Sequence, residues 1–160
     1  MENRGNIYLA VDIRASSGRH ILGYLENGQM KTEEVYRFSN QGVLKDGHLC
    51  WDTDYLYGEI LNGLKRCKEL NKIPVSMGID TWAIDFVLID KEGNRLTDCV
   101  CYRDKRTEGM EQVVSKLVTD EELYQRTGIQ KQPFNTIYQL MALKQEDLEV
   151  FQKADCFPMV

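Results

Sequence analysis

The chain lacks any apolar run near the roughly 18 residues a membrane-spanning helix needs, which argues against an integral helical membrane protein. Its start, Met-Glu-Asn-Arg-Gly, carries an acid and leads into only a short apolar stretch. The longer apolar core and small-residue cleavage site of a secretory leader are missing, so a cytoplasmic location without membrane attachment is expected. Positive charge is not in excess: 20 Lys and Arg against 25 Asp and Glu leave a net −5. That balance argues against a general nucleic-acid partner, while a local basic pocket stays open. There is no Cys-x-x-Cys, and His20 and His48 are isolated. The five cysteines are odd in number, and Cys99 and Cys101, two apart, make a poor metal pair; all five read as reduced thiols, with zinc as the alternative. No repeat, low-complexity tract or charge run interrupts the chain. What remains is 160 residues, 42% hydrophobic and 28% charged, the composition of one globular domain. A domain of that size buries roughly two thirds of its extended-chain surface.

The most informative stretch is Y-L-A-V-D-I-R-A-S-S-G-R, residues 8–19. An apolar run at 7–11 has the length and β-branching of a buried strand and ends at Asp12. Ala15, Ser16, Ser17 and Gly18 form a loop whose small side chains allow backbone N–H groups to approach a ligand. Arg19 closes it, and a second apolar run follows at 21–25. Phosphoryl transfer needs such parts: N–H and hydroxyl donors, a cation, and a carboxylate that can hold Mg²⁺. An ordinary hairpin built from common turn residues reads the same spacing equally well.

In order, strands are expected at 6–13, 20–26 and 30–38, the second and third joined by the hairpin signal Asn27-Gly28. Residues 39–47 read as loop and 48–51 as a short extended piece. Asp52 or Thr53 caps a helix at 54–70, with Tyr57, Ile60, Leu61, Leu64 and Cys67 as its buried face. Glu59, Lys65, Lys68 and Glu69 are its wet side, and Lys72 and Pro74 stop it. Further strands are expected at 75–81 and 84–90, with a turn at 91–94 and an extended piece at 98–102. Helices at 107–117, 120–127 and 136–154 complete the chain, with Gly128 stopping the second and 133–135 a connecting turn. Three antiparallel strands, a helix and another strand resemble the opening of the actin-like ATPase fold, in which the first hairpin grips phosphates.

Several segments together resemble the FGGY carbohydrate kinases, and within them the N-terminal portion of the bacterial rhamnulokinases. They are V-D-I-R-A-S-S-G-R (11–19), G-I-D-T-W-A-I-D-F-V-L-I-D (78–90), Y-R-D-K-R-T (102–107), Y-Q-R-T-G-I-Q (124–130) and P-F-N-T-I-Y-Q-L (133–140). They fall in order across nearly the whole chain, and Trp51-Asp52 fits too. The resemblance implies an α/β fold, the first lobe of an actin-like (ribonuclease H-like) ATPase with a mixed sheet and flanking helices. It implies ATP-dependent, Mg²⁺-requiring phosphorylation of the 1-hydroxyl of L-rhamnulose in a cleft between two lobes. On that likeness Ala15, Ser16, Ser17, Gly18 and Arg19 bind phosphate and Asp12 sits near Mg²⁺. Trp82, Ala83, Asp85 and Asp104 line the sugar side, the carboxylates accepting hydrogen bonds from hydroxyls. Asp80 and Asp104 could instead cap helices or hold turns, and Trp82 could be core. Fuculose, xylulose and glycerol kinases share the fold; D-T-W-x-x-D-F points to rhamnulose.

Three departures accompany the matches. Arg14 stands where the family pattern has glycine, which would permit positive φ and close phosphate approach. Ala83 stands where family members carry a glycine implicated in sugar binding. The family's catalytic aspartate belongs to a His-Asp-Thr motif beyond residue 160, and no His-Asp pair occurs here. Residues 1–160 thus read as a partial N-terminal lobe, inactive alone and self-associating through apolar surface. A catalytically silent sugar- or nucleotide-binding relative is the alternative, and an unrelated interaction domain a third.

Overall fold

Leu9, Val11 and Ile13 alternate with more exposed neighbours, and this period-two pattern forms strand β1, Tyr8–Ile13. The computed structural model describes residues 5–160; the acid-bearing start at 1–4 lies outside the described residues. Strand β2, Ser17–Glu26, pairs antiparallel with β1, and β3, Gln29–Ser39, pairs antiparallel with β2. Asn27 and Gly28, at φ 51° and 76°, close that second hairpin as expected. The expected loop at 39–47 is corrected. Asp46 and Gly47, at φ 49° and 89°, form a further two-residue turn between β4, Val43–Lys45, and β5, His48–Trp51. Asp-Gly is the hairpin signal the sequence reading passed over.

Asp52 caps helix α1, Thr53–Glu69, its carboxylate accepting the Tyr55 N–H at 2.8 Å. Strand β6, Ser76–Asp80, then lies parallel to β1 and gives the sheet order β3-β2-β1-β6. The expected strand at 84–90 is corrected to irregular extended chain with isolated bridges. Its polar backbone is shared between two partners: Val87 and Ile89 donate to Pro158 and Cys156, while Leu88 accepts from Leu96. Pro158 has no N–H to return, so a continuous ladder does not form. Strand β7 is only Cys99–Val100, paired with β5. The expected helix at 107–117 is a 3₁₀ turn, Lys105–Thr107, and a short α2, Met110–Val114, separated by Gly109 at φ 81°. Helix α3, Asp120–Thr127, has the expected bounds, between a Thr119 cap and a left-handed Gly128. The expected helix at 136–154 is two: α4, Thr136–Glu146, and α5, Leu148–Lys153. Asp147, at φ −140° and ψ 83°, ends the first and caps the second by accepting the Val150 N–H.

The chain divides into two compact units, residues up to 41 with Asp52–Trp82, and Gly42–Trp51 with Ala83–Val160. In the first, α1 covers one face of the four-stranded sheet, and the core is Leu9, Val11, Ile13, Leu22, Phe38, Leu56 and Cys67. Leu56, Ile60, Gly63 and Cys67 form the inner stripe of α1. Tyr57 and Leu61, expected on that stripe, lie one position further round and are exposed. In the second unit, Phe86, Leu88 and Leu143 pack with Leu96, Leu140, Val150 and Ala154. No helix among the described residues is long and apolar enough to cross a membrane.

Candidate functional site

The tip of the β1–β2 hairpin gathers the expected phosphate-side residues. Arg14 N–H donates to Ser17 O at 2.8 Å, closing a tight turn. Asn40, just past β3 and almost fully buried, staples the turn from behind. Its side-chain amide donates to Arg14 O at 2.8 Å and its backbone N–H to Ser16 O at 3.0 Å. Asp12 ends the strand with both carboxylate oxygens engaged. Arg19 donates from Nε (3.0 Å) and Nη2 (2.8 Å) to Oδ2, and Arg14 Nε donates to Oδ1 at 3.2 Å. The guanidiniums of Arg19 and then Arg14 hold the Asp12 carboxyl below its ordinary value, outweighing burial.

Two expectations about this loop change. Ser17, Gly18 and Arg19 belong to β2, so the loop proper is Arg14, Ala15 and Ser16. Gly18 is buried, and a Cβ there would fall 2.0 Å from Phe38 Cζ, so its smallness makes room for that ring. Arg14 is not among the residues with positive φ, so a side chain stands there without backbone strain, and it points into solvent.

In the second unit, Asp85 is fully buried and its carboxylate accepts from protein donors. These include Trp51 Nε1 at 2.6 Å, the Tyr102 N–H at 3.1 Å and Gln139 Nε2 at 3.1 Å. Asp104 fills the capping role held open for it. It accepts the Arg106 N–H (2.8 Å) at the start of the 3₁₀ turn and the Leu49 N–H (2.7 Å) of β5. His48 Nδ1 lies 3.1 Å from Asp104 Oδ1, and its Nε2 lies 2.7 Å from Glu146 Oε1. Burial opposes the Asp104 charge, but the Leu49 N–H, His48 and the Arg106 N–H together hold its carboxyl below the ordinary value. Asp104 and then Glu146 raise His48. Asp85 and Asp104 thus both bond to β5. Trp82 packs against the core of the first unit, the other reading kept open for it. Ala83 is exposed, and Asp80 ends β6 with its side chain exposed.

Asn40 and Gln139 are the contributors that the sequence reading left without a role. Asn40 lies in an S-N-Q-G stretch whose residues indicate only loop, and no pattern marks a buried asparagine. Gln139 was inside a quoted motif, but one turn of α4 does not reveal which amide faces inward.

With this geometry in place, the comparisons fix the family. Residues 7–160 match the model of the FGGY family of carbohydrate kinases, N-terminal domain, and the chain belongs to that family. It is 52% identical over 152 residues to a rhamnulokinase of Oceanobacillus iheyensis, covering 95% of this chain and 32% of that protein. A rhamnulokinase of Halalkalibacterium halodurans is 53% identical, with 97% and 33% covered. The chain therefore spans about a third of the length of these curated relatives. Among solved structures, gluconate kinase from Lactobacillus acidophilus superposes with a TM-score of 0.78 at 15% identity, covering 96% of this chain and 31% of that one. Xylulose kinase from Rhodospirillum rubrum gives 0.73 at 15%, with 95% and 32% covered. At such identities the likeness shows the fold, an α/β fold of the actin-like ATPase type with a mixed sheet.

Proposed function

We propose that this chain is the N-terminal part of a cytoplasmic kinase that transfers the terminal phosphoryl group of ATP, with Mg²⁺, to the 1-hydroxyl of L-rhamnulose. Identity of about half over nearly the whole chain with proteins named rhamnulokinase carries the reading. Ala15, Ser16, Ser17, Gly18 and Arg19 take the phosphate side, the hydroxyls and guanidinium supplying donors to phosphate oxygens. Asp12 is the carboxylate we place near Mg²⁺; with Arg19 on Oδ2 and Arg14 on Oδ1, it would meet the ion through water or after one of these ion pairs opens, the other ligands being waters and substrate phosphates. No cluster of three or more His, Cys, Asp or Glu among the described residues offers an all-protein cage. When bound, the ion neutralises charge on the phosphate oxygens. Trp82, Ala83 and Asp104 take the sugar side, while Asp85, enclosed by its own chain, supports that half-site from beneath through the hydrogen bonds it accepts and does not touch the sugar itself. The acceptor's base and the adenine contacts come from the second lobe of the whole protein.

The test joins residues 1–160 to the remaining two thirds of a rhamnulokinase relative and measures ATP-dependent phosphorylation of L-rhamnulose, xylulose, fuculose and glycerol. Preference for rhamnulose is expected, with no turnover by residues 1–160 alone. Turnover by the isolated chain, or preference for another acceptor, overturns the reading. Self-association belongs to the same proposal, since β6 lies at the edge of the described sheet with Met77 and Ile79 exposed. Sedimentation of the isolated chain reads it, and a monomer at every concentration removes it.

A further inference from the structure

Ile84 has φ 80°, a left-handed conformation that a β-branched residue adopts only under constraint. The other described non-glycine residues at positive φ are Asn27, Asp46 and Asn71, polar residues that suit turns. Ile84 is held from both sides. Its carbonyl accepts from Thr136 Oγ1 at 3.0 Å and from Gln139 Nε2 at 3.2 Å. Its side chain lines a cavity of about 640 Å³ with Leu123, Tyr124 and Ile137.

Gln139 is fully buried, and its amide organises the surroundings. Besides Ile84 O, Nε2 lies 3.1 Å from Asp85 Oδ1 and 3.0 Å from Phe134 O, while Oε1 accepts from Arg106 Nη2 at 2.8 Å. One amide thus connects the 84–85 segment, the approach to α4 and a largely enclosed guanidinium. The network is not complete, since the buried Arg106 Nε has no hydrogen-bond partner and the two N–H of Gln139 are shared among three acceptors, but displacing the amide would leave further buried acceptors without a donor.

We infer that Gln139, helped by Thr136, is a positioning residue that pins the Ile84 peptide in its left-handed form and so preorganises the 83–85 turn for a polyhydroxylated ligand. On this account Asp85 acts from beneath the turn as a buried anchor. The ligand class rests on the proposed function; the pinning rests on geometry alone.

Two measurements on the chain test it, scalar couplings that report Ile84 φ and titration with L-rhamnulose. In Gln139→Met, Ile84 is expected to leave positive φ for part of the time. If the competent population falls to about a tenth, the apparent affinity falls about tenfold. Glycine occupies positive φ about as readily as negative φ, so Gln139→Met in an Ile84→Gly background is expected to cost only about twofold. A merely structural role would give the same loss in both backgrounds, and that result overturns the inference, as does an unchanged Ile84 φ in Gln139→Met. Should Gln139→Met not fold, Thr136→Val removes one of the two bonds to Ile84 O and carries the same comparison with a smaller expected loss. Absence of rhamnulose binding by the unaltered chain overturns the sugar reading and the ligand half of this inference, while the couplings still decide the pinning.

Discussion

Helix α1 carries two glycines, and the structure assigns them opposite responses to the same substitution. At Gly63 an added Cβ would lie 2.1 Å from His20 Nε2, 2.2 Å from Cδ2 and 2.4 Å from Cε1. His20 has nowhere to retreat. It is fully buried, stands edge-on to Tyr36 at 5.5 Å between centroids, and bonds Ile60 O through Nε2 at 3.2 Å. Burial lowers its pKa, which favours the neutral ring, and because Ile60 O can only accept, Nε2 is the nitrogen that donates to it. Overpacking costs about 1–3 kcal/mol. Displacing the ring leaves a buried group unpaired at about 1–3 kcal/mol. Replacing glycine by alanine in a helix returns roughly 1 kcal/mol. The net for Gly63→Ala is a loss on the order of 1–5 kcal/mol. At Gly58 no atom lies within 4 Å of the added Cβ, so only the propensity gain remains, about 0.5–1 kcal/mol. Urea unfolding of both variants beside the unaltered chain reads both signs. Gly63→Ala as stable as the parent refutes the packing argument, and a destabilised Gly58→Ala refutes the claim of open space.

The His48 bridge sets a pH dependence. Its partners raise its pKa, so its contribution is fully present below the unfolded value of about 6.5 and is lost as pH rises through the folded value. Asp104 works on the acid side, since its lowered value makes its contribution fade as pH falls through that value. Urea midpoints between about pH 5.5 and 8.5 should decline with rising pH in the parent and flatten in His48→Gln; an identical slope removes the bridge as the cause. At the hairpin tip, Arg14→Gln should let the Asp12 carboxyl rise toward its ordinary value while Arg19 keeps it still lowered, read by carboxyl carbon shifts during titration. An unmoved Asp12 would mean that Arg14 does not hold it in solution.

What the sequence carried and what it hid follow from the range of the interactions involved. Strand β1, the Asn27-Gly28 hairpin, the Asp52 cap and α3 were legible because each is decided within a few residues, by alternation, a two-residue turn or a cap. The 84–90 segment was not. Its alternation is strand-like, but its partners are 94–96 and 155–158, and a proline in one of them breaks the ladder. The split at Asp147 was local and still missed, because apolar periodicity continues through it and hides the backbone reversal. The site divides the same way. Asp12 and Arg19, seven positions apart, sit across from each other in the β1–β2 register, but the sequence reading starts the second strand at 20 and keeps Arg19 in the loop, so their ion pair becomes legible only once that strand extends back to Ser17. Asp85 depends on Trp51 and Gln139, 34 and 54 positions away, and no local rule distinguishes a carboxylate that meets a ligand from one enclosed by its own chain. Arg14 makes the converse point: glycine was expected to be needed there, yet the turn lies outside the left-handed region and is held by Asn40, so an arginine fits and its charge is free to act on Asp12.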